Sequence, residues 1–218
     1  MIKTVVKKLL PDYAVKAVQE ARARRAKNKL LKNSAERATK IVLQQQDILL
    51  EIGAGNRKGA NGWTTLDICA NCDIYWDLRL PLPFPANSIT KIYSSHVLEH
   101  FDYSELMKLL AECHRILKPH GIFSVCVPDA SLYIKGYGSV EEFTPQNVYE
   151  PAFCINTRID FVNYIAYMGG HHRYMFDRDN LLAILRKAGF KEVRARQFES
   201  AIDMVERDWE SIYAEAEK

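Results

Sequence analysis

The sequence predicts an α/β protein in which a doubly wound, mostly parallel sheet follows an N-terminal helical arm. Residues 1–46 of the 218 carry twelve basic and three acidic residues, a net charge of +9, whereas residues 47–218 carry a net charge of −6. From residue 47 onward, short apolar runs alternate with amphipathic segments of helical period. Glycines and carboxylates follow several of these runs. Such alternation is typical of parallel sheets, whose ligands bind beyond the carboxyl ends of the strands.

The arm is the basic part of the chain. Residues 12–45 are rich in Ala, Lys, Arg, Leu and Gln and predict one helix or two, with starts at Asp12 and at Asn33-Ser34. We therefore divide the chain into an arm, 1–45, and a body, 46–218. Three interpretations of the arm stay open: a solvated helix packed on the body, a contact with lipid headgroups or a polyanion, and an RNA contact. The single aromatic residue of the segment, Tyr13, disfavours the last, because base stacking requires more rings.

The body contains strand-like and helix-like segments in turn. One helix is expected over 103–118, and another begins after a cap at Asp177 or Asp179 and stops at Gly189. Propensity alone predicts a further helix over 199–217. Strands are expected at 47–52, 63–68, 73–78, 91–98, 121–127 and 190–196.

The sequence has features of an intracellular protein. It contains no uncharged apolar run of about 18 residues and no secretory signal pattern at its start. Its five cysteines are an odd number, as expected for reduced thiols. Cys69 and Cys72 form a lone CxxC, and a structural zinc site needs two such pairs, so we expect no metal. The predicted location is the cytoplasm, and a peripheral membrane contact through the arm stays open.

A glycine turn follows the first predicted strand. Gly53-Ala54-Gly55 permits a tight turn and a close approach of a ligand to the backbone. Asp67, at the end of the second strand, is placed to accept two ribose hydroxyls, and Asp77 to meet the amine of an adenine. A dinucleotide site would need a third glycine nearer than Gly59, and the connection to the second strand is short for a crossover helix. The pattern favours an adenosyl ligand without phosphates.

Three stretches together resemble the class I S-adenosylmethionine-dependent methyltransferases. They are EIGAGNRKGANGWTTLDI, WDLRLPLPFPANSITKIYSSHVLEHF and LMKLLAECHRILKPHGIFSVCVPD, which cover about residues 47–130. HHRYMFDRDNLLAILRKAGFKEV (171–193) also resembles the family, and residues 207–218 do so more loosely. Among its branches, the small bacterial one associated with surface-polysaccharide and sugar modification is the most similar.

The resemblance implies a Rossmann-like, seven-stranded sheet whose last strand is Ser211–Glu217, contrary to the propensity. It also implies that S-adenosylmethionine is the cofactor. The sequence departs from the family pattern at two glycine positions. Asn56 occupies one of them, and His120 occupies the other, in a turn remote from the predicted cofactor site. The implied cofactor-binding residues are Glu51, Gly53, Ala54 and Gly55 at the turn, Asp67 with Ile68, Asp77 with Leu78, and Ser94 with Ser95.

Two features of the sequence predict where the acceptor of the methyl group binds, namely the histidines and an insert rich in aromatic residues. His96, His171 and His172 are the candidate catalytic residues, because a positioned base aids transfer to a hydroxyl. His100 lies four residues after His96, but no third ligand supports a metal there, and a structural hydrogen bond is preferred for it. Residues 130–176 hold ten of the 23 aromatic residues and predict an acceptor-binding insert. Its tyrosines suit a sugar ring, although some must form a small core.

The predicted function is methyl transfer to a hydroxyl of a small molecule or glycan, such as a sugar, nucleotide sugar or lipid-linked saccharide. The arm would then suit an anionic membrane surface. Two alternatives stay open: an RNA or protein methyltransferase, and a non-enzymatic module that only binds S-adenosylmethionine. The fourth strand ends in SSHV without an amine-binding NPPY-like motif, which makes a nucleic-acid partner less favourable.

Overall fold

A computed structural model describes residues 12–218 and contains one seven-stranded sheet with the strand order β3-β2-β1-β4-β5-β7-β6. All strands are parallel except β7, which runs antiparallel to both of its neighbours. The predicted doubly wound fold is confirmed. The strands are β1 Leu49–Ile52, β2 Trp63–Asp67, β3 Ile74–Tyr75, β4 Ile89–Ser95, β5 Leu117–Pro128, β6 Lys191–Ala195 and β7 Ser211–Glu217. The α-helices are α1 Asp12–Gln44, α2 Tyr103–Ile116, α3 Ala130–Gly138, α4 Ile159–Tyr167 and α5 Arg178–Lys187, and 3₁₀ turns cover Leu98–His100, Met168–Gly170 and Val205–Glu210.

Strand β1 lies at the point where the strand order reverses. It pairs with β2 on one side and with β4 on the other, so that Ile52 is opposite Leu66 and Ser94. Leu50 and Ile52 are fully buried. The carboxyl ends of these three strands therefore meet at one edge of the sheet, where a doubly wound fold binds its ligands.

The connection between β1 and β2, residues 53–62, contains no helix, as its length predicts. Strand β3 is only two residues long, shorter than the predicted 73–78, so Asp77 lies in the following loop. Strand β4 begins earlier than predicted and ends at Ser95, because His96 adopts a left-handed backbone with φ +52°.

Local sequence signals determine the ends of two helices. Asp102 and Glu105 form a capping box at the start of α2, in which the Asp102 side chain accepts from the Glu105 backbone N–H at 2.9 Å. Asp177, one of the two predicted caps, accepts from Asn180 N–H at 2.7 Å before α5. The chain then turns at Gly189, where φ is +98°.

The final segment differs from its helical propensity. The predicted helix over 199–217 is wrong, and the strand implied by the resemblance is confirmed as β7. Strand β7 lies between β5 and β6. It buries Ala214 and Ala216 in the main hydrophobic core, the cluster that also contains Leu50 and Ile52. Pairing along both edges outweighs the helix preference of these residues, which amounts to a few tenths of a kcal/mol per residue.

Helix α1 is a single helix of 33 residues, roughly 50 Å long at 1.5 Å per residue. Only its last third packs against the body: Ala38 is fully buried, and Ile41 and Val42 contact the main core. Tyr13, Val18 and Leu30 are exposed, so α1 projects from the sheet for most of its length.

The part of the chain that the structure describes contains no helix that is both long and apolar enough to cross a membrane.

Candidate functional site

A cleft of about 450 Å³ opens at the carboxyl ends of β1, β2 and β4. This volume suits a nucleoside-sized ligand. Gly53, Asp67, Ile68, Asp77 and Leu78 from the predicted cofactor set line it. His96 and His171 from the predicted catalytic set line it as well. Its remaining walls come from residues that the sequence did not single out for the cofactor: Trp76, Arg79, Val97, His100, Phe101, Gly170 and Arg173.

The turn after β1 requires glycine. Gly53 has φ +68°, and its N–H donates to the Leu66 carbonyl at 2.8 Å. A Cβ at this position would lie 2.2 Å from Val97 Cγ2. The backbone of the turn therefore packs directly against the loop after β4 and leaves the space above Gly53 open to the cleft.

Asp67 is held in place by backbone donors. Its Oδ2 accepts from Gly55 N–H at 2.9 Å and its Oδ1 from Cys69 N–H at 3.1 Å. A carboxylate has about four lone-pair sites. Two sites therefore stay available, one on each oxygen, and this arrangement suits a pair of adjacent ribose hydroxyls.

The neighbours of Asp67 suit an adenine ring. Ile68 is 60% exposed although it is apolar, and Leu78 lies in the same cleft. Asp77 Oδ1 accepts from Arg79 N–H at 3.1 Å, which fixes the loop after β3. The cleft thus offers apolar contacts for a flat ring and a carboxylate for its amine.

Glu51 lies apart from this group. Its carboxylate accepts from Arg57 Nη2 at 2.5 Å, and it lines a neighbouring cavity of about 410 Å³ together with Trp63 and Tyr93. Burial raises the pKa of Glu51, and the charge of Arg57 opposes this shift. The sequence does not predict this pairing with Arg57.

Four other predicted cofactor residues do not line the cleft. Ala54 is buried, and its carbonyl accepts from Arg57 Nε. Ser94 is fully buried, and its Oγ has no hydrogen-bond partner among residues 12–218. Ser95 Oγ accepts from Cys126 Sγ and from Arg207 Nη1. The two serines therefore contribute to the interior behind the site. Gly55, the remaining turn residue, acts through its bond to Asp67.

His96 occupies the junction of the cleft and β7. Its Nε2 lies 2.8 Å from Ser211 Oγ, whose own hydrogen goes to the Arg207 carbonyl. Nε2 must therefore carry the proton, and Nδ1 carries a lone pair. Burial lowers the pKa of His96 to about 3, so the ring is neutral and a weak base. A left-handed histidine at a strand end is a strained position of the kind that occurs at functional sites.

The other two histidines of the predicted catalytic set differ in exposure. His171 is exposed in the cleft wall, and its ring lies 5.9 Å from that of Tyr149. His172 is buried behind it, next to the ring of His100 at 5.3 Å. Burial lowers the pKa of His172 to about 4 and lowers that of His100 as well. Burial also raises the pKa of Glu99 to about 8.

The aromatic insert is largely a small core of its own. Tyr133, Phe161 and Tyr164 are buried together between α3 and α4. The Tyr133 hydroxyl donates to Glu210 Oε2 at 2.7 Å. Tyr149 is half-exposed beside the cleft, so the insert offers few rings to a ligand there.

The residues fit an adenosyl cofactor by the chemistry of their donors. The open turn at Gly53 would take an amino-acid moiety, Asp67 would take two hydroxyls, and Ile68 with Leu78 would contact a base.

A family model described as "Methyltransferase domain" matches residues 18–195. This match begins inside α1, in the segment that the sequence alone separates from the body. No curated protein matches the sequence.

Several solved structures are similar to the chain. A methyltransferase from Archaeoglobus fulgidus, described as SAM-dependent, shares 16% identity, covering 87% of this chain and 94% of that one, with a TM-score of 0.49. A possible histamine N-methyltransferase from Thermotoga maritima shares 16% identity over 93% and 97%, with a TM-score of 0.47. Phosphoethanolamine N-methyltransferase 2 from Haemonchus contortus, in complex with S-adenosyl-L-methionine, shares 14% identity over 85% and 52%, with a TM-score of 0.49.

Proposed function

Because the chain belongs to the methyltransferase domain family, we propose that this enzyme transfers a methyl group from S-adenosylmethionine to a hydroxyl of a small polar acceptor, such as a sugar. The observation that carries the proposal is the division of the cleft. Asp67 and Asp77 follow β2 and β3 on one side of β1, whereas His96 follows β4 on the other side, and the His171 carbonyl lies 2.9 Å from His100 Nδ1 in the turn after β4. One end suits the adenosyl group and the other suits a hydroxyl that must lose a proton.

The residues at the cofactor end of the cleft bind and orient S-adenosylmethionine. S-adenosylmethionine supplies a methyl group on a positively charged sulfur, which an acceptor displaces in line. Asp67 would hold the ribose, Asp77 the adenine amine, and Ile68 and Leu78 the faces of the ring. Placement of two reactants in this way supplies several kcal/mol of the barrier.

The acceptor end offers one accessible base among the three histidines that the sequence predicts to be catalytic. His171 is exposed in the cleft wall, whereas His96 has its Nε2 bound to Ser211 and is a weak base. We therefore assign proton removal to His171 and acceptor orientation to Nδ1 of His96. Tyr149 lies beside His171 and would contact an acceptor ring. Arg173, in the same wall, would meet a phosphate or carboxylate on it.

A labelled-methyl transfer assay tests the function. Purified enzyme and labelled S-adenosylmethionine are incubated with nucleotide sugars, a lipid-linked saccharide, RNA and protein extract, and the product is identified. We expect O-methylation of a sugar and at least 10-fold slower transfer by His171→Ala. Transfer only to RNA or protein contradicts the acceptor assignment. An unchanged rate in His171→Ala contradicts the assigned base.

We also propose that the projecting part of α1 contacts an anionic membrane surface. Arg22, Arg24, Arg25, Lys27 and Lys29 lie on its exposed segment, far from the part that packs on the core. Each basic side chain near such a surface contributes about 1 kcal/mol. Such a contact would hold the enzyme at the membrane surface that carries a lipid-linked acceptor.

Vesicle sedimentation tests this contact. Arg24→Glu/Arg25→Glu should weaken binding to anionic phosphatidylglycerol vesicles by at least about 30-fold, since two charges are reversed. The exposed pair Lys108→Glu/Lys191→Glu is the matched control and should bind nearly as the wild type does. Equal loss in both variants, or binding to neutral vesicles, contradicts the proposal. Salt-sensitive RNA binding without vesicle binding would favour a nucleic-acid partner instead.

A further inference from the structure

Glu99, His100 and His172 form a cluster of metal-ligand side chains behind the acceptor end of the cleft. One ligand atom from each residue lies within 4.8 Å of the other two. Two ligands about 2.1 Å from a common ion are at most about 4.2 Å apart. The cluster would therefore close on an ion with side-chain movements of less than about 1 Å.

Backbone hydrogen bonds bring the three residues together. Glu99 and His100 lie in the 3₁₀ turn after β4, and His172 follows the 3₁₀ turn after α4. The Glu99 carbonyl accepts from Arg173 N–H at 2.8 Å and from Tyr174 N–H at 3.2 Å. The two segments are thus joined immediately beside the cluster.

The two imidazoles are oriented as metal ligands are. His100 Nδ1 lies 2.9 Å from the His171 carbonyl, and His172 Nδ1 lies 2.8 Å from the Ile165 carbonyl. A carbonyl only accepts, so both Nδ1 atoms carry the proton and both Nε2 atoms carry a lone pair. Histidines that bind metals have this arrangement, in which a backbone carbonyl holds the other ring nitrogen.

Glu99 is the observation that points to a ligand. Its side chain is 3% exposed, and its Oε2 has no hydrogen-bond partner among the described residues. Its nearest ionisable partner in residues 12–218 is His100, with Nε2 3.8 Å from Oε1. The guanidinium of Arg207 favours the ionised form of Glu99, but its Nη1 is bonded to Ser95. A buried carboxylate oxygen without a donor is costly unless a proton or a cation meets it.

We propose that Glu99, His100 and His172 bind a divalent transition metal ion. Two imidazole nitrogens and one carboxylate favour Zn²⁺, Fe²⁺, Co²⁺ or Mn²⁺ over Mg²⁺ and Ca²⁺, which prefer oxygen ligands throughout. Three protein ligands leave coordination positions open to an exogenous group.

A metal ion at this site would take part in methyl transfer, an inference that rests on the proposed function. His100 belongs both to the cluster and to the cleft wall, so an ion there would be reachable from the acceptor end. A coordinated hydroxyl loses its proton more readily. Acceptors with adjacent hydroxyls, as in a sugar diol, are the class that such an ion would select.

Isothermal titration of the metal-free full-length protein with Zn²⁺, Co²⁺ and Mn²⁺ tests the site. We expect one tight equivalent of at least one of these ions. Glu99→Gln keeps the side-chain shape and should weaken that binding at least about 10-fold, as His172→Gln should. His120→Ala is the matched control, because His120 is a histidine with an 87% exposed side chain in a remote turn, and it should bind as the wild type does. Cys69→Ser controls for the CxxC thiols.

Thermal unfolding and S-adenosylhomocysteine binding show whether each variant is folded. The inference is overturned if no ion binds, or if Cys69→Ser loses the ion while Glu99→Gln retains it. Normal S-adenosylhomocysteine binding without metal binding removes the metal site and leaves the proposed function standing. Metal binding without S-adenosylhomocysteine binding contradicts the proposed function and leaves the metal site standing.

Discussion

Replacing Asp67 with asparagine should selectively weaken cofactor binding. The carboxylate uses one lone pair on each oxygen for the backbone N–H groups of Gly55 and Cys69. An amide has only one oxygen, so its NH₂ group would face one of these donors. Asp67→Asn therefore loses one ordering contact and one acceptor for a ribose hydroxyl.

The magnitude follows from these contacts. A hydrogen bond to a charged group contributes about 1.5–3 kcal/mol. The loss of one such bond to the ribose, with weakening of the other, gives about 2–3 kcal/mol. This corresponds to roughly 30- to 150-fold weaker binding of S-adenosylhomocysteine, at 1.4 kcal/mol for each factor of ten.

Asp73 provides the matched control. It is also a carboxylate next to β2, and its Oδ2 accepts from Gly59 N–H at 2.9 Å and from Thr65 N–H at 3.2 Å. It does not line the cleft. Asp73→Asn should change stability but leave the Kd within about threefold of the wild type. Titration calorimetry with S-adenosylhomocysteine gives both Kd values, and thermal unfolding shows that each variant is folded. A Kd for Asp67→Asn within threefold of the wild type, or an equal loss in Asp73→Asn, would refute the assignment of Asp67 to the ribose.

Three further substitutions test the packing of the site and its support. Gly53→Ala should cost about 2–4 kcal/mol of unfolding free energy, because it adds left-handed strain and a clash with Val97. Gly55→Ala has the same strain without a neighbour within 4 Å, so chemical denaturation should show a smaller loss for it. Glu112→Gln should cost about 1–2 kcal/mol, because Glu112 accepts from Arg115 Nε at 2.7 Å and from Arg115 Nη2 at 2.8 Å. That hydrogen bonding lowers the pKa of Glu112 below 4.5, so the stability difference should be constant above about pH 5 and shrink as the pH falls through the lowered pKa; a difference independent of pH down to 3 would contradict this.

The sequence predicts those parts of the site that depend on strand ends. Asp67 and Asp77 each follow a short apolar run, and the parallel sheet brings such ends to one edge. The prediction of Gly53 rests on the same reasoning, with the turn geometry added. These features are local, and the fold supplies only the assembly.

The direction of each side chain within a strand is harder to predict from the sequence. Side chains alternate between the two faces of a strand, so the direction of each depends on the neighbouring strands. Ser94 is near the predicted carboxyl end of β4, yet it points into the interior. Glu51 is at the end of β1, but Arg57 from the following loop binds it. No local pattern indicated that Arg57 would turn back onto the strand.

The metal-ligand cluster could not be read from spacing, and the reason is geometric. His96 and His100 are four residues apart, which brings two ligands together only when the intervening residues are α-helical. Here the chain passes through a left-handed residue and a 3₁₀ turn, so His96 meets Ser211 while His100 meets the His171 carbonyl. The third ligand, His172, comes from a segment that two backbone bonds attach to Glu99. The lack of a third ligand nearby in the sequence is therefore no argument against a metal, because these backbone hydrogen bonds hold His172, from the end of the insert, beside Glu99.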